Sequence, residues 1–267
     1  MLRDITIGQY FPGDSIIHRL DPRFKIVITL LYIVMLFSGG KYICLAVGAV
    51  FTIGAILLSK IPLKMFFKSV KPLLIFLVIT AILNLFLMST GGVLWEWKFL
   101  KITDKGLETS IFMVVRIVLL VMGSSLLTYT TSPITLTDAI ERLLSPLRKI
   151  KFPVHELAMM MSIALRFIPT LIEETDKIMS AQKARGAEID TGSLITRAKN
   201  MVSILVPLFI SAFRRADELA TAMECRCYHG GEGRTRLRQL RSAPRDYIAL
   251  AVTVLFLALT IVLGRIF

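Results

Sequence analysis

Long apolar runs separated by short polar stretches fill the first half of the chain and return at its end. A membrane-crossing helix needs about 20 mostly apolar residues, within a range of about 17–25. Five segments meet that requirement: residues 24–40, 42–59, 72–90, 111–131 and 247–264. The turn Gly39-Gly40-Lys41 joins the first two as an antiparallel helical hairpin. Lys25 falls at the edge of the first run, where its stem can follow the apolar surface while the ammonium snorkels to water. The stretch before Pro22 is polar and lacks the apolar centre of a cleavable signal peptide, so the first run is expected to be a retained span.

The pattern changes over residues 132–243, where the period is helical but each helix has two unlike faces. Thr135-Leu136-Thr137-Asp138 resembles a capping box and predicts a short helix over 138–144, ended by Pro146. After Pro153, apolar residues recur at Leu157, Met160, Met161, Ala164, Leu165, Ile168, Leu171, Ile172 and Ile178. Glu173, Glu174, Asp176 and Lys177 form the opposite face, which predicts a long amphipathic helix to Ala184. Pro169 should kink it, and Gly186 should stop it. A third helical run covers 195–228 and ends before Gly230, Gly231 and Gly233. Its apolar stretch, 202–213, is interrupted by Pro207 and too short to span, so it is expected at an interface or against the membrane part. Pairing the apolar halves of the two long runs would add a sixth and seventh span and leave the C-terminus on the same side.

Charge assigns the sides. The chain carries a formal +13, and 55% of its 267 residues are hydrophobic. Arg3, Arg19, Arg23 and Lys25 lie in the N-terminal segment, and Lys60, Lys64, Lys68 and Lys71 follow the second run. Residues 132–245 hold 18 Lys and Arg against 12 Asp and Glu. All three regions fall on one side, which the positive-inside rule makes cytoplasmic. Topology therefore accounts for the basic excess without nucleic acid. Trp95 and Trp97 suit an outer interfacial belt. The expectation is an all-α, polytopic protein of the cell membrane with about five transmembrane helices and long amphipathic cytoplasmic helices. Its domains would be a four-span N-terminal part (1–131), a cytoplasmic or interfacial part (132–243) and a final transmembrane helix (244–267).

Comparing the two long runs at an offset of 41 residues reveals a repeat. Met160, Ser162 and Ile163 match Met201, Ser203 and Ile204; Asp176, Ala181 and Arg185 match Asp217, Ala222 and Arg226. Like helices ending in like arginines suggest like docking sites. An arginine fork matches carboxylates and exposed carbonyls, while a cation at a helix C-terminus is also favoured by the helix dipole alone. Six of the twelve methionines lie in these runs, and thioethers suit surfaces that repack.

Other chemistry is sparse. There is no GxxxxGK[ST] phosphate loop, so no ATP hydrolysis is expected of the chain itself. His18, His155 and His229 lack metal-ligand spacing, Cys225 and Cys227 form a single CxC without a second pair, and no nucleophile–base constellation is visible. No catalytic, cofactor or metal site is expected. Arg116 inside the fourth run is expected to anchor near the outer end or to find a partner within the chain. Asn84 would bond between helices. Cys44, Gly48 and Thr52 form a small-residue face for a partner helix or for this chain's own helices.

Taken together, these residues resemble the T component of energy-coupling factor transporters. Gly8-Gln9-Tyr10 and Ser15-Ile16-Ile17-His18-Arg19-Leu20-Asp21-Pro22-Arg23-Phe24-Lys25 are similar to the family's N-terminal motif. Leu143-Leu144-Ser145-Pro146-Leu147 and Leu165-Arg166-Phe167-Ile168-Pro169 are similar to its central motifs. Ala184-Arg185-Gly186 matches the first of two Ala-Arg-Gly signatures. Cys225-Arg226-Cys227 stands where the second is expected, keeping only the arginine and losing the glycine. The resemblance implies a non-catalytic scaffold whose two coupling helices dock two ABC-type ATPase subunits through these triplets. It also implies a membrane part that holds an interchangeable vitamin-binding S component in the bilayer. A conventional ABC permease would offer one docking loop per chain, and a secondary transporter would place several ionisable groups within its spans.

Overall fold

The computed structural model describes residues 10–38, 41–87, 93–97, 100–187, 194–230 and 240–266. The expected turn at Gly39-Gly40, Gly8-Gln9, Gly231, Gly233 and the side chains of Trp95 and Trp97 lie outside the described residues. The elements are α1 (Pro22–Ser38), α2 (Lys41–Ser59), α3 (Leu63–Val70), α4 (Leu74–Leu87), β1 (Val93–Trp97), β2 (Leu100–Thr103), α5 (Asp104–Thr130), α6 (Pro133–Leu144), α7 (Val154–Ala184), α8 (Leu194–Glu224) and α9 (Pro244–Ile266). The architecture is all-α but for the short antiparallel hairpin β1–β2. Two compact units result: one joins Gln9–Leu136 to Leu240–Phe267, and the other contains Thr137–Gln239.

Five helices among the described residues are long and apolar enough to cross a membrane: Tyr42–Ser59, Leu63–Phe86, Asp104–Thr130, Val154–Ala184 and Pro244–Arg265. The set differs from the sequence expectation at two places. α1, at 17 residues, stands at the short limit of a span, and α7 joins because its first half is apolar enough. Within that set, the span expected at 72–90 begins earlier, since α3 and a 3₁₀ turn over Lys71–Leu73 lead directly into α4. α5 starts seven residues before its apolar run because the Thr103 hydroxyl caps it, accepting the Gly106 N–H at 3.2 Å. α6 starts at Pro133 instead of Asp138. Ser132 supplies the cap, its hydroxyl accepting the Thr135 N–H at 3.4 Å, and a proline suits the first helical position.

In the first unit α1 packs on α9, α2 and α5, while α5 also meets α3 and α4. Tyr32 is the centre of this packing, 2% exposed. Its hydroxyl donates to the Leu119 carbonyl at 2.8 Å and meets the Thr52 hydroxyl at 2.7 Å. Close approach requires glycine here: a Cβ on Gly123 would lie 2.3 Å from the Tyr32 ring, and one on Gly48 would lie 2.4 Å from Leu36. The small face of α2 is therefore used inside the chain. Arg116 is also held internally, its guanidinium 4.9 Å from the Phe37 ring centre, 4.2 Å from that of Phe112, and 3.9 Å from Cys44 Sγ. Asn84 does not reach another helix among the described residues; its amide donates to Thr80 O one turn back at 2.9 Å.

The N-terminal motif forms a lock at the ends of three helices. Asp21 caps α1, accepting the Arg23 N–H at 2.9 Å, with Pro22 at the first helical position. Arg23 grips the same carboxylate, Nη2 donating to Oδ2 at 2.6 Å and Nε to Oδ1 at 3.1 Å. Buried Asp246, in the first turn of α9, accepts the Asp21 N–H at 2.9 Å and the Ala243 N–H at 2.6 Å. Lys25 does not snorkel to solvent. It is 5% exposed, and its ammonium donates to the carbonyls of His18 (3.2 Å) and Thr130 (2.8 Å), tying α1 to the end of α5. Burial of a lysine costs much unless its donors are all occupied, and the free carbonyls at a helix C-terminus supply acceptors.

Candidate functional site

The two signature triplets lie at the C-terminal ends of α7 and α8. α7 runs as one helix through Pro169. It ends with the Gly186 N–H bonded to Lys183 O at 3.0 Å and the Ala187 N–H to Gln182 O at 3.0 Å. These two bonds define a Schellman cap, with the residue before the bend at the cap position and the next one left-handed. Arg185 holds the cap position, and Gly186, at φ +87°, takes the left-handed one. α8 ends at Glu224, four residues before the expected limit. Its cap has the same wiring: the Cys227 N–H bonds Glu224 O at 2.8 Å and the Tyr228 N–H bonds Met223 O at 3.0 Å.

Arg226 therefore occupies the same cap position as Arg185, and Cys227, at φ +54°, stands in for the glycine. The change of residue has not changed the backbone. A left-handed conformation costs a non-glycine residue roughly 1–2 kcal/mol. Cys227→Gly is accordingly expected to stabilise this helix end by about 1 kcal/mol, after allowing for the greater freedom of glycine in the unfolded chain. Thermal unfolding in detergent checks this, and a lower midpoint than that of the parent chain would contradict it.

Ala184, Arg185, Gly186, Cys225, Arg226 and Cys227 are all exposed. Neither guanidinium bonds another described residue. The structure does not bring the two triplets together. Gln182 Nε2 donates to Ser203 O at 3.2 Å and Arg215 Nη2 to Glu174 Oε2 at 2.7 Å, so α7 and α8 run antiparallel and their C-terminal ends point apart. Glu174 and Arg215 are themselves equivalents at the 41-residue offset. Each proposed docking arginine lies eleven residues beyond its own helix's member of that pair, about 16 Å of helical rise. That ion pair is thus equidistant from both arginines along the helices.

Opposite charges at repeat-equivalent positions were a signal in the sequence for this contact. The ion pair is partly exposed, and pairs of that kind are worth about 1 kcal/mol or less. Glu174→Arg alone should lower the unfolding midpoint by setting a second cation against Arg215, and Glu174→Arg with Arg215→Glu should restore it. A double-mutant cycle with no coupling would contradict the contact.

α8 also presents Val202, Leu205, Val206, Phe209, Ile210 and Phe213, between 43% and 68% exposed. A contiguous apolar face of this kind marks a surface for a protein or a membrane. His155 Nδ1 lies 3.1 Å from Glu141 Oε1 and joins α7 to α6. Among the described residues no three His, Cys, Asp or Glu side chains converge to hold a metal ion.

The helices of membrane length among the described residues define a multi-pass membrane protein. Comparison with known proteins specifies the family. The family model described as cobalt transport protein matches residues 13–237. The energy-coupling factor transporter transmembrane protein EcfT of Ruminiclostridium cellulolyticum is 52% identical over 267 residues, covering 100% of both chains. The EcfT proteins of Clostridium kluyveri and Bacillus subtilis are 57% and 45% identical, covering 98% and 97% of this chain and 97% and 98% of their own. The chain belongs to this family of energy-coupling factor transporter transmembrane proteins.

Proposed function

We infer that the chain is the scaffold of an ATP-driven importer, transmitting the motion of two ABC-type ATPase subunits to an interchangeable, vitamin-binding S component. The observation that carries this reading is the pair of matching caps, each presenting an exposed arginine on opposite sides of one helix crossing. Ala184, Arg185 and Gly186 would dock one ATPase subunit, and Cys225, Arg226 and Cys227 the other. Each guanidinium extends from a helix end whose carbonyls already favour a cation, and small neighbours let that end enter a groove. Closure of an ATPase pair would draw the two ends together, and the antiparallel crossing would turn that movement into rotation of the apolar face of α8.

Residues 1–131 and 244–267 would form the membrane part, with 132–243 as the coupling part. The alternation of basic loops supports a cytoplasmic N-terminus and coupling segment. Affinity purification of the tagged chain from its native membrane provides the test. The expected preparation contains two ATPase subunits and one small membrane protein per chain. A chain that purifies alone and transports solute by itself would overturn the scaffold role.

A further inference from the structure

A groove of about 510 Å³ opens in the membrane unit, between α1, α2, α5 and α9. Ile28, Val50, Leu58, Ile248, Val252 and Phe256 represent its apolar wall. Several of these are open to the surroundings, with Val50 at 62%, Leu58 at 53% and Ile248 at 64% exposure.

The polar atoms in the wall are already engaged. Thr29 donates its hydroxyl to Lys25 O, Thr130 to Leu126 O and Thr253 to Ala249 O, each at 2.8 Å. Tyr32 and Thr52 are bonded to each other at 2.7 Å, and the Lys25 ammonium is held by backbone carbonyls. A polar solute would find no donor here and would lose its hydration. Arg245, exposed at one end of the groove, is the lining residue whose charged group bonds no described residue.

The groove thus has a hydrocarbon wall with one available cation at its mouth. Along α9 it extends from Arg245 to Phe256, eleven residues or about 16 Å. That is the depth of one leaflet in a hydrocarbon core about 30 Å thick. We propose that this groove binds one acyl chain of an anionic phospholipid, from the leaflet on the side of the basic loops, with Arg245 meeting the phosphate. Gly54 supplies a means of blocking it, because a Cβ built there meets nothing within 4 Å. A larger side chain at 54 can enter the groove without displacing the backbone.

The test uses the full-length chain, with any partners it retains, reconstituted in vesicles of equimolar phosphatidylcholine and phosphatidylglycerol. Native mass spectrometry after mild detergent extraction reads the lipid that stays bound. The parent chain should keep one phosphatidylglycerol in preference to phosphatidylcholine. Arg245→Gln should reduce that preference about fivefold, the worth of one basic residue near a membrane surface. Gly54→Leu should reduce retention of either lipid about tenfold, since each displaced methylene weakens binding. An unchanged unfolding midpoint for Gly54→Leu in lipid-free detergent shows that the variant is folded. Equal retention of the two lipids by the parent chain would overturn the proposal, as would parental lipid retention by Gly54→Leu. Cross-linking of a cysteine at position 54 to a partner subunit, in a parent chain free of lipid, would assign the groove to a protein helix instead and overturn it as well.

Discussion

Replacing both Arg185 and Arg226 with alanine should abolish co-purification of the ATPase subunits and the solute uptake that depends on them. The expectation follows from what an arginine leaves behind when removed from a docked interface. Losing one partner of a buried charged pair costs about 3–5 kcal/mol, roughly a hundredfold to several thousandfold in affinity at each site. The single variants should differ in kind from the double one, because each leaves the opposite helix end docked. Arg185→Ala and Arg226→Ala should each retain one ATPase contact while uptake falls severely, since coupling needs both ends driven. Both side chains are exposed in the free chain, so neither change should lower the stability by more than about 0.5 kcal/mol, the usual range for surface sites. Normal ATPase association and uptake in the double variant would remove the arginines from the docking surface.

Asp246→Ala should be the most destabilising single change among those considered, by about 3–5 kcal/mol. The carboxylate is 1% exposed and accepts two backbone N–H groups, from Asp21 and Ala243. Hydrogen bonds to a charged group are each worth about 1.5–3 kcal/mol, and their loss leaves buried donors unsatisfied. The lock also joins residues 225 positions apart, so its rupture should free α9 from α1. Asp246→Asn keeps one acceptor oxygen and should cost about half as much. Thermal unfolding in detergent should therefore rank the parent chain first, Asp246→Asn second and Asp246→Ala last; equal midpoints would show that the lock carries no stability.

Most helix positions were legible because each long apolar run or amphipathic period is a local property. The departures have local causes too. α6 begins earlier because Ser132-Pro133 is a better start than the capping box read three residues later. α8 ends earlier because Cys227 adopts a left-handed conformation, ahead of the glycines expected to stop the run. The candidate site was legible as two arginines at a fixed spacing. Their equivalence as cap residues was hidden, since a cysteine gives no sign of a positive φ. Lys25 and Asp246 were harder still. Nothing near Lys25 announces the Thr130 carbonyl that accepts its hydrogen bond, and Asp246 reads as an ordinary acidic residue in a first helical turn.

Hydropathy, basic loops and the 41-residue repeat were enough to establish a multi-pass membrane protein with two related helices ending in arginine. They could do so because burial in lipid, charge retention and helical period act over runs of neighbouring residues. Tertiary structure alone decided that the two arginine ends point apart from a shared crossing and that Asp246 closes the N-terminal lock. It also decided that Arg245 sits at the mouth of an apolar groove. Each of these depends on hydrogen bonds or voids between segments distant in the chain, and no local pattern encodes which distant group will arrive.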